Sequence, residues 1–284
     1  MPLSTAPVSR PGVILALFAH NDDEFFVAPL LRREIAAGKR VVVAYLTYGS
    51  AYGADANLRV AESRRVLDQI GVRPEDVMLT GLDAGIFDAS LIKHAEAALR
   101  ALKTTLRDIA VDQLLLPAWE GGHEDHDTCH LVGAALARWR PPVAGVFEYP
   151  TYNGYGLAWH LGRVMEFPGG DAGQRTRITL KEGWWAIRCA WSYRSQRRTF
   201  MWVLPGAVNK YLLARRQLLR PVPADRDYRL PPHAGRLFYE RREKSTFAQF
   251  YAELYPFITA HLGEVLPLPL DKQGPLQSAG QVTQ

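Results

Sequence analysis

An apolar run, Val13–Ala19, ends without transition in the polar pentad His20-Asn21-Asp22-Asp23-Glu24, and this junction restricts the fold more than any other stretch. A short, branched, unbroken apolar run is the pattern of a strand buried on both faces, since alternation would leave one face wet. Such a strand belongs in a parallel sheet with a helical layer on each side. Arg10 ahead of the run imitates a signal peptide, but seven apolar residues lie at the bottom of that range and three carboxylates follow at once. The other long apolar runs, Val41–Leu46 and Thr199–Val208, also fall far short of the ~20 residues that cross a bilayer. Two cysteines, Cys129 and Cys189, make no disulfide framework for 284 residues. A cytoplasmic protein without a transmembrane segment is expected.

The first half alternates strand and helix patterns. Helices are expected over Glu24–Ala37, Asn57–Ile70, Leu91–Leu106 and Asp125–Trp139, the first two stopped by Gly38 and Gly71. Strands are expected over Arg40–Thr47, Val77–Thr80, Gln113–Pro117 and Val143–Glu148. This alternation predicts an α/β fold, a Rossmann-like, mostly parallel sheet flanked by helices, with its chemistry on loops leaving the carboxyl ends of the strands. Beyond residue 150 the pattern loosens: Tyr, Trp and Gly crowd Tyr149–Trp159, and Pro recurs at 205, 221, 223, 231 and 232. A helix is expected near Trp184–Met201, another over Ser245–His261, and a mobile tail from about 267. The chain thus divides into a core, 1–162, and an irregular C-terminal region, 163–284, that completes the fold and the cleft. A composition 48% hydrophobic and 22% charged excludes wholesale disorder.

Three consecutive carboxylates repel one another unless a cation, a helix N-terminus or water relieves them. His20, three residues before Asp23, offers a nitrogen and an oxygen that can converge on one ion. Neighbouring Asp22 and Asp23 point apart, leaving one for metal and one for a base. The competing explanation is a helix cap made by Asp22 or Asp23. The second cluster is His123-Glu124-Asp125-His126, with His130 beyond. His123 and His126 can face one point from a loop–helix junction, while His126 and His130, one turn apart, form a rival pair. Four of the eight histidines lie in these two clusters, on loops the topology makes adjacent, which favours a metal site over hydrogen-bonded core histidines. Cys129 has no partner at finger spacing.

These residues resemble a known family. Ala19-His20-Asn21-Asp22-Asp23-Glu24 is similar to the Ala-His-Pro-Asp-Asp-Glu signature of the PIG-L/LmbE-like zinc-dependent N-acetylglucosaminyl deacetylases, and His123–His126 to their His-x-Asp-His. Thr47-x-Gly49, Arg59-x-x-Glu62 and Tyr193-x-Ser195-Gln196 fit the same pattern. Asn21 stands where the family has Pro, a position that supplies no ligand, base or donor. The resemblance covers residues 12–140 and is patchy thereafter.

The resemblance implies a zinc-dependent N-deacetylase with His20, Asp23 and His126 as ligands of Zn2+ or another divalent ion. It implies Asp22 as general base, His123 as acid or oxyanion donor, and Asp125 orienting His123. Arg59, Asp83, Tyr193 and Gln196 are candidate substrate contacts; Arg59 paired with Glu62 or Glu34, and Asp83 in a turn, are the plainer alternatives. Tyr149, Tyr152, Tyr155 and Trp159 suit a sugar-stacking wall. The implied partner is a small-molecule amino-sugar conjugate, with a homo-oligomer open and no nucleic acid expected. An amidase for a larger acyl or thiol conjugate is the enzymatic alternative. Charge is uneven, −4 over 1–162, +10 over 163–243 and −1 over 244–284. The basic segment suits an anionic conjugate, or else a nucleic-acid or anionic-lipid binding protein.

Overall fold

The computed structural model describes residues 12–49, 53, 55–158, 162–170 and 173–263; the tail expected from about 267 lies outside them. β1 (Val13–Phe18) is buried at every position. Ile14, Ala16 and Phe18 enter one apolar core and Val13, Leu15 and Leu17 the other, so the strand separates two helical layers. The chain continues through α1 (Ala28–Ala36), β2 (Arg40–Tyr45), α2 (Ala56–Ile70), β3 (Val77–Met78) and α3 (Thr80–Ala84). It then forms α4 (Leu91–Thr105), β4 (Gln113–Pro117), α5 (Glu124–Trp139) and β5 (Val146–Tyr149). These strands lie side by side in the order β3-β2-β1-β4-β5, all parallel. Strand order therefore reverses between β1 and β4, where the departing loops diverge and leave a crevice. His20 follows β1, and His123 and His126 follow β4.

The remainder adds the hairpin β6 (Tyr152–Asn153) and β7 (Arg163–Val164), then β8 (Gln174–Arg177), α6 (Leu180–Cys189) and α7 (Arg197–Val208). Last come β9 (Arg216–Pro221), α8 (Phe238–Arg241) and α9 (Phe247–Leu262). β9 pairs antiparallel with β5 and β8 with β9, extending the same sheet. The helix α9 starts from a Thr246/Gln249 capping box and buries Phe250, Leu254 and Ile258 in the core shared with α4 and α5.

Several boundaries differ from expectation for local reasons. The helix expected over Glu24–Ala37 begins later: Asp23–Phe26 is a 3-10 turn, and α1 opens with Pro29 in its first turn, where a missing N–H costs nothing. The strand expected over Val77–Thr80 stops at Met78 because Thr80 opens α3. The strand expected over Val143–Glu148 starts at Val146, after Gly145 at φ 94°. The helix expected near Trp184–Met201 is two helices, broken at Tyr193 (φ −90°, ψ 65°).

Docking of α5 on β4 sets where the second histidine loop lies, and Gly133 permits it. A Cβ there would stand 2.1 Å from Leu116 Cδ2 in the core. Gly133→Ala is expected to cost about 1–3 kcal/mol, read as a lower denaturant midpoint at constant slope. An unchanged midpoint would mean that α5 has room to spare.

Candidate active site

The loops at the switch point bring His20, Asp23 and His126 together. His20 Nδ1 lies 3.2 Å from His126 Nε2, which lies 3.1 Å from Asp23 Oδ1; His20 Nδ1 lies 3.7 Å from Asp23 Oδ2. Donors bound at about 2.1 Å around a four-coordinate zinc stand about 3.4 Å apart, so each of these separations is of the size found between zinc ligands. All three side chains line an open cleft of about 770 Å³.

Surrounding hydrogen bonds assign the ring protons. The Asp125 carboxylate accepts the Nε2–H of His20 at 2.9 Å, and also the backbone N–H groups of Ala89 and Leu91. Thr151 Oγ1 donates its only proton to Glu120 Oε1 at 2.6 Å, so at 3.0 Å it accepts the Nδ1–H of His126. The unprotonated nitrogens, His20 Nδ1 and His126 Nε2, therefore face each other and Asp23. Three electron-rich atoms converging inside the protein repel one another unless a proton or a cation lies among them. The local field makes the same demand. Burial alone would lower the pKa of His20, but Asp88, Asp125 and Asp23 carry it up to about 9. Burial alone would raise Asp23, but His126 and His20 hold it down to about 2. His20, His123 and Asp125 form a second candidate group, but the Asp125 carboxylate is already engaged by three N–H donors.

Asp22 adopts a left-handed backbone, φ 135°, its N–H donating to Glu24 Oε2 at 3.1 Å. Burial pushes its carboxyl well above the usual range; Arg59, 3.6 Å away, pulls it back, and Asp23 adds to the rise. Arg59 is itself buried, donating to Asp88 and to the carbonyls of Gly49 and Asn21, so it ties the loop after β2 to the loop after β1. His123 caps α5, its Nδ1 accepting the Asp125 N–H at 3.1 Å, and its Nε2 faces Lys244 Nζ at 3.4 Å. Desolvation, then His20 and Lys244, push His123 well below its usual pKa and keep it neutral.

Residues 15–137 match the family model described as PIG-L, GlcNAc-PI de-N-acetylase. Over these residues the chain is similar to the PIG-L family. No curated protein matches the sequence. Among solved structures, the A40926 pseudoaglycone deacetylase Dbv21 is 18% identical at a TM-score of 0.52, covering 80% of this chain and 100% of that one. The zinc-inhibited form of teicoplanin deacetylase Orf2 is 12% identical at a TM-score of 0.56, covering 76% and 100%. The N,N'-diacetylchitobiose deacetylase from Pyrococcus horikoshii, complexed with its inhibitor MPG, is 14% identical at a TM-score of 0.56, covering 74% and 84%. Similarity at these identities shows a shared fold.

The site does not use every residue as expected. Asp83 is exposed on α3, outside the cleft, and Asp88 of the following turn lines it instead. Asp125 was expected to orient His123; its carboxylate holds His20, and only its backbone N–H reaches His123. Tyr193 is buried off the cleft wall, its hydroxyl donating to Glu24 Oε1 at 2.9 Å, whereas Gln196 lines the wall. Of the expected aromatic wall, Tyr152 lines the cleft, Tyr149 is buried with its hydroxyl on the Leu17 carbonyl, and Tyr155 packs on His233. Trp159 lies outside the described residues. Sequence reasoning missed Thr151, Glu120, Asp88, Trp202, Arg242 and Lys244. Only Glu120 carried a signal, as an acid closing the apolar stretch of β4 ahead of Gly121-Gly122.

His130 is no rival ligand. Its Nδ1–H donates to the Pro117 carbonyl at 2.9 Å and its Nε2 accepts from the Tyr228 hydroxyl at 3.0 Å. Burial pushes it down to about 4, against the upward pull of Glu148. A folded pKa below the unfolded value of about 6.5 favours the neutral form, so this contribution is complete above that pH and is lost as pH falls towards 4. The unfolding free energy should decline by on the order of 3 kcal/mol across that window, and His130→Asn should flatten the decline. Equal slopes in both proteins would assign the acid sensitivity to other groups.

Proposed function

We propose that the chain is a zinc-dependent hydrolase that removes the N-acetyl group from an N-acetylglucosamine-type conjugate. The observation that carries this reading is the convergence of the inner nitrogens of His20 and His126 on Asp23, in an open cleft at the switch point of a sheet whose residues 15–137 are similar to the PIG-L family. The deacetylases among the similar structures support the reaction class, and the zinc-inhibited one supports a metal of this kind.

In this reading His20, Asp23 and His126 hold Zn2+, which when bound lowers the pKa of a water towards ~7 and polarises the acyl oxygen. Asp22, its carboxyl raised by burial, takes the water's proton and later passes it to the leaving amine. His123 donates its Nε2–H to the developing oxyanion. Acetate and a free amine leave. Arg59 is buried with both terminal nitrogens engaged by the protein, so its part is to position Asp22 rather than to bind substrate. Tyr152 and Trp202 supply aromatic faces to the cleft. Arg242 and Lys244 on its wall form no ion pair with a carboxylate among the described residues, which suits an anionic group on the conjugate. Gln196, Trp202, Arg242 and Lys244, all from beyond residue 163, line the cleft and support a reading in which the C-terminal region completes it. No helix among the described residues is long and apolar enough to cross a membrane, and Cys129 and Cys189 are unpaired, in keeping with a cytoplasmic location.

Acetate release from a panel of N-acetylglucosamine conjugates, before and after chelation, tests the reading with one variant. Asp22→Asn, chosen because Asn tolerates positive φ, should keep one equivalent of zinc and lose turnover. Loss of the metal instead would exchange the roles of Asp22 and Asp23. Thr151→Val removes the acceptor of the His126 Nδ1–H and should weaken zinc binding about 10–100-fold. Unchanged affinity would contradict the proton assignment at His126.

A further inference from the structure

The outer face of the α6–α7 pair has a composition that the deacetylase reading does not use. Both helices bury their inner sides in one core, Ala186 and Ile187 from α6 and Phe200, Val203 and Ala207 from α7. Their outer sides are left to solvent. Along α6 and just past its end, positions 180, 184, 188 and 191 are exposed, the spacing of one helical stripe; 194, 198, 201 and 205 repeat it through α7. Leu180, Trp184, Trp191 and Met201 are 52%, 59%, 74% and 71% exposed, and Leu213, in the helical turn that follows α7, is 74% exposed. A concentration of apolar side chains like this marks an interaction surface. Interleaved with them are the exposed Lys181, Arg188, Arg194, Arg197 and Arg198, none with a carboxylate partner among the described residues. The one acid of this stretch, Glu182, is held by Arg33.

We propose that this face docks peripherally on an anionic lipid bilayer. Tryptophan and aliphatic side chains enter the boundary between headgroups and acyl chains while the cations meet anionic headgroups. The charges disfavour a second copy of this chain, which would bring the same five cations against themselves across a two-fold axis. A nucleic acid would use the cations but leave Leu180, Met201 and Leu213 without a role. The opposite side of α7 supplies Thr199 and Val203 to the cleft. Docking would therefore set the cleft wall about one helix diameter, ~10 Å, from the lipid surface.

The full-length protein is sedimented with vesicles of phosphatidylcholine alone and of phosphatidylcholine mixed with phosphatidylglycerol, at physiological salt. Binding is expected to the mixed vesicles only. It should fall roughly tenfold or more in the double variant Trp184→Ser/Trp191→Ser, and likewise in Arg197→Glu/Arg198→Glu, with circular dichroism unchanged in both. Absence of binding to the mixed vesicles, or binding insensitive to both variants, would overturn the proposal. So would a concentration-dependent dimer abolished by the tryptophan variant, or tighter binding to a single-stranded oligonucleotide than to the mixed vesicles.

Discussion

Two hydrogen bonds to the outer nitrogens of imidazole rings, Asp125 on His20 and Thr151 on His126, turn the inner nitrogens towards each other and so create the centre of the molecule. Neither bond stands alone. Asp125 is fixed by the backbone N–H groups at the start of α4, and Thr151 is fixed because Glu120 takes its proton. Glu120 in turn accepts from the backbone of Thr151 and Tyr152 and from the Asn153 amide. The loops after β1, β4 and β5 and the start of α4 thus form one connected support, and a shift in any of them would be felt at the rings. Outer partners of this kind set the tautomer and basicity of imidazole ligands.

Such a centre costs stability, and the surrounding fold offsets it. Asp22, Asp23, Glu24, Glu120, Asp125 and Asp127 are all buried near it, and an unpaired buried carboxylate is unfavourable by several kcal/mol. The protein answers with donors: Asp127 accepts the N–H groups of Glu120 and Gly121, and Glu24 accepts from Asp22 and Tyr193. Further out, Glu148 is met by Arg220 and Arg226. The left-handed backbone of Asp22 and the convergence of the inner nitrogens on Asp23 stand at the middle of this network. Backbone strain held in place by a network of this kind marks a functional site.

The core was legible in the sequence because burial on both faces is written as an unbroken apolar run, as in Val13–Phe18, and because the signature residues of each loop are contiguous. Long-range partners were not. Thr151 is an ordinary threonine until the β5–β6 turn lays it against His126. Asp125 is a neighbour of His123 in the chain, yet helix capping turns its carboxylate towards His20 instead. Asp83 was displaced by Asp88 because Thr80 opens a short helix where a strand was expected to continue. The break at Tyr193 answers to Glu24, 169 positions away, and β9, Arg-Gln-Leu-Leu-Arg-Pro, has too many charges to read as a strand. In each case the deciding partner is distant in sequence, and local propensity carries no record of it.

The most direct test is anomalous diffraction at the zinc edge from crystals of the protein grown with zinc. The account predicts one strong peak bounded by His20 Nδ1, an Asp23 carboxylate oxygen and His126 Nε2. A peak among His20, His123 and Asp125, or no ordered ion at either place, would contradict it.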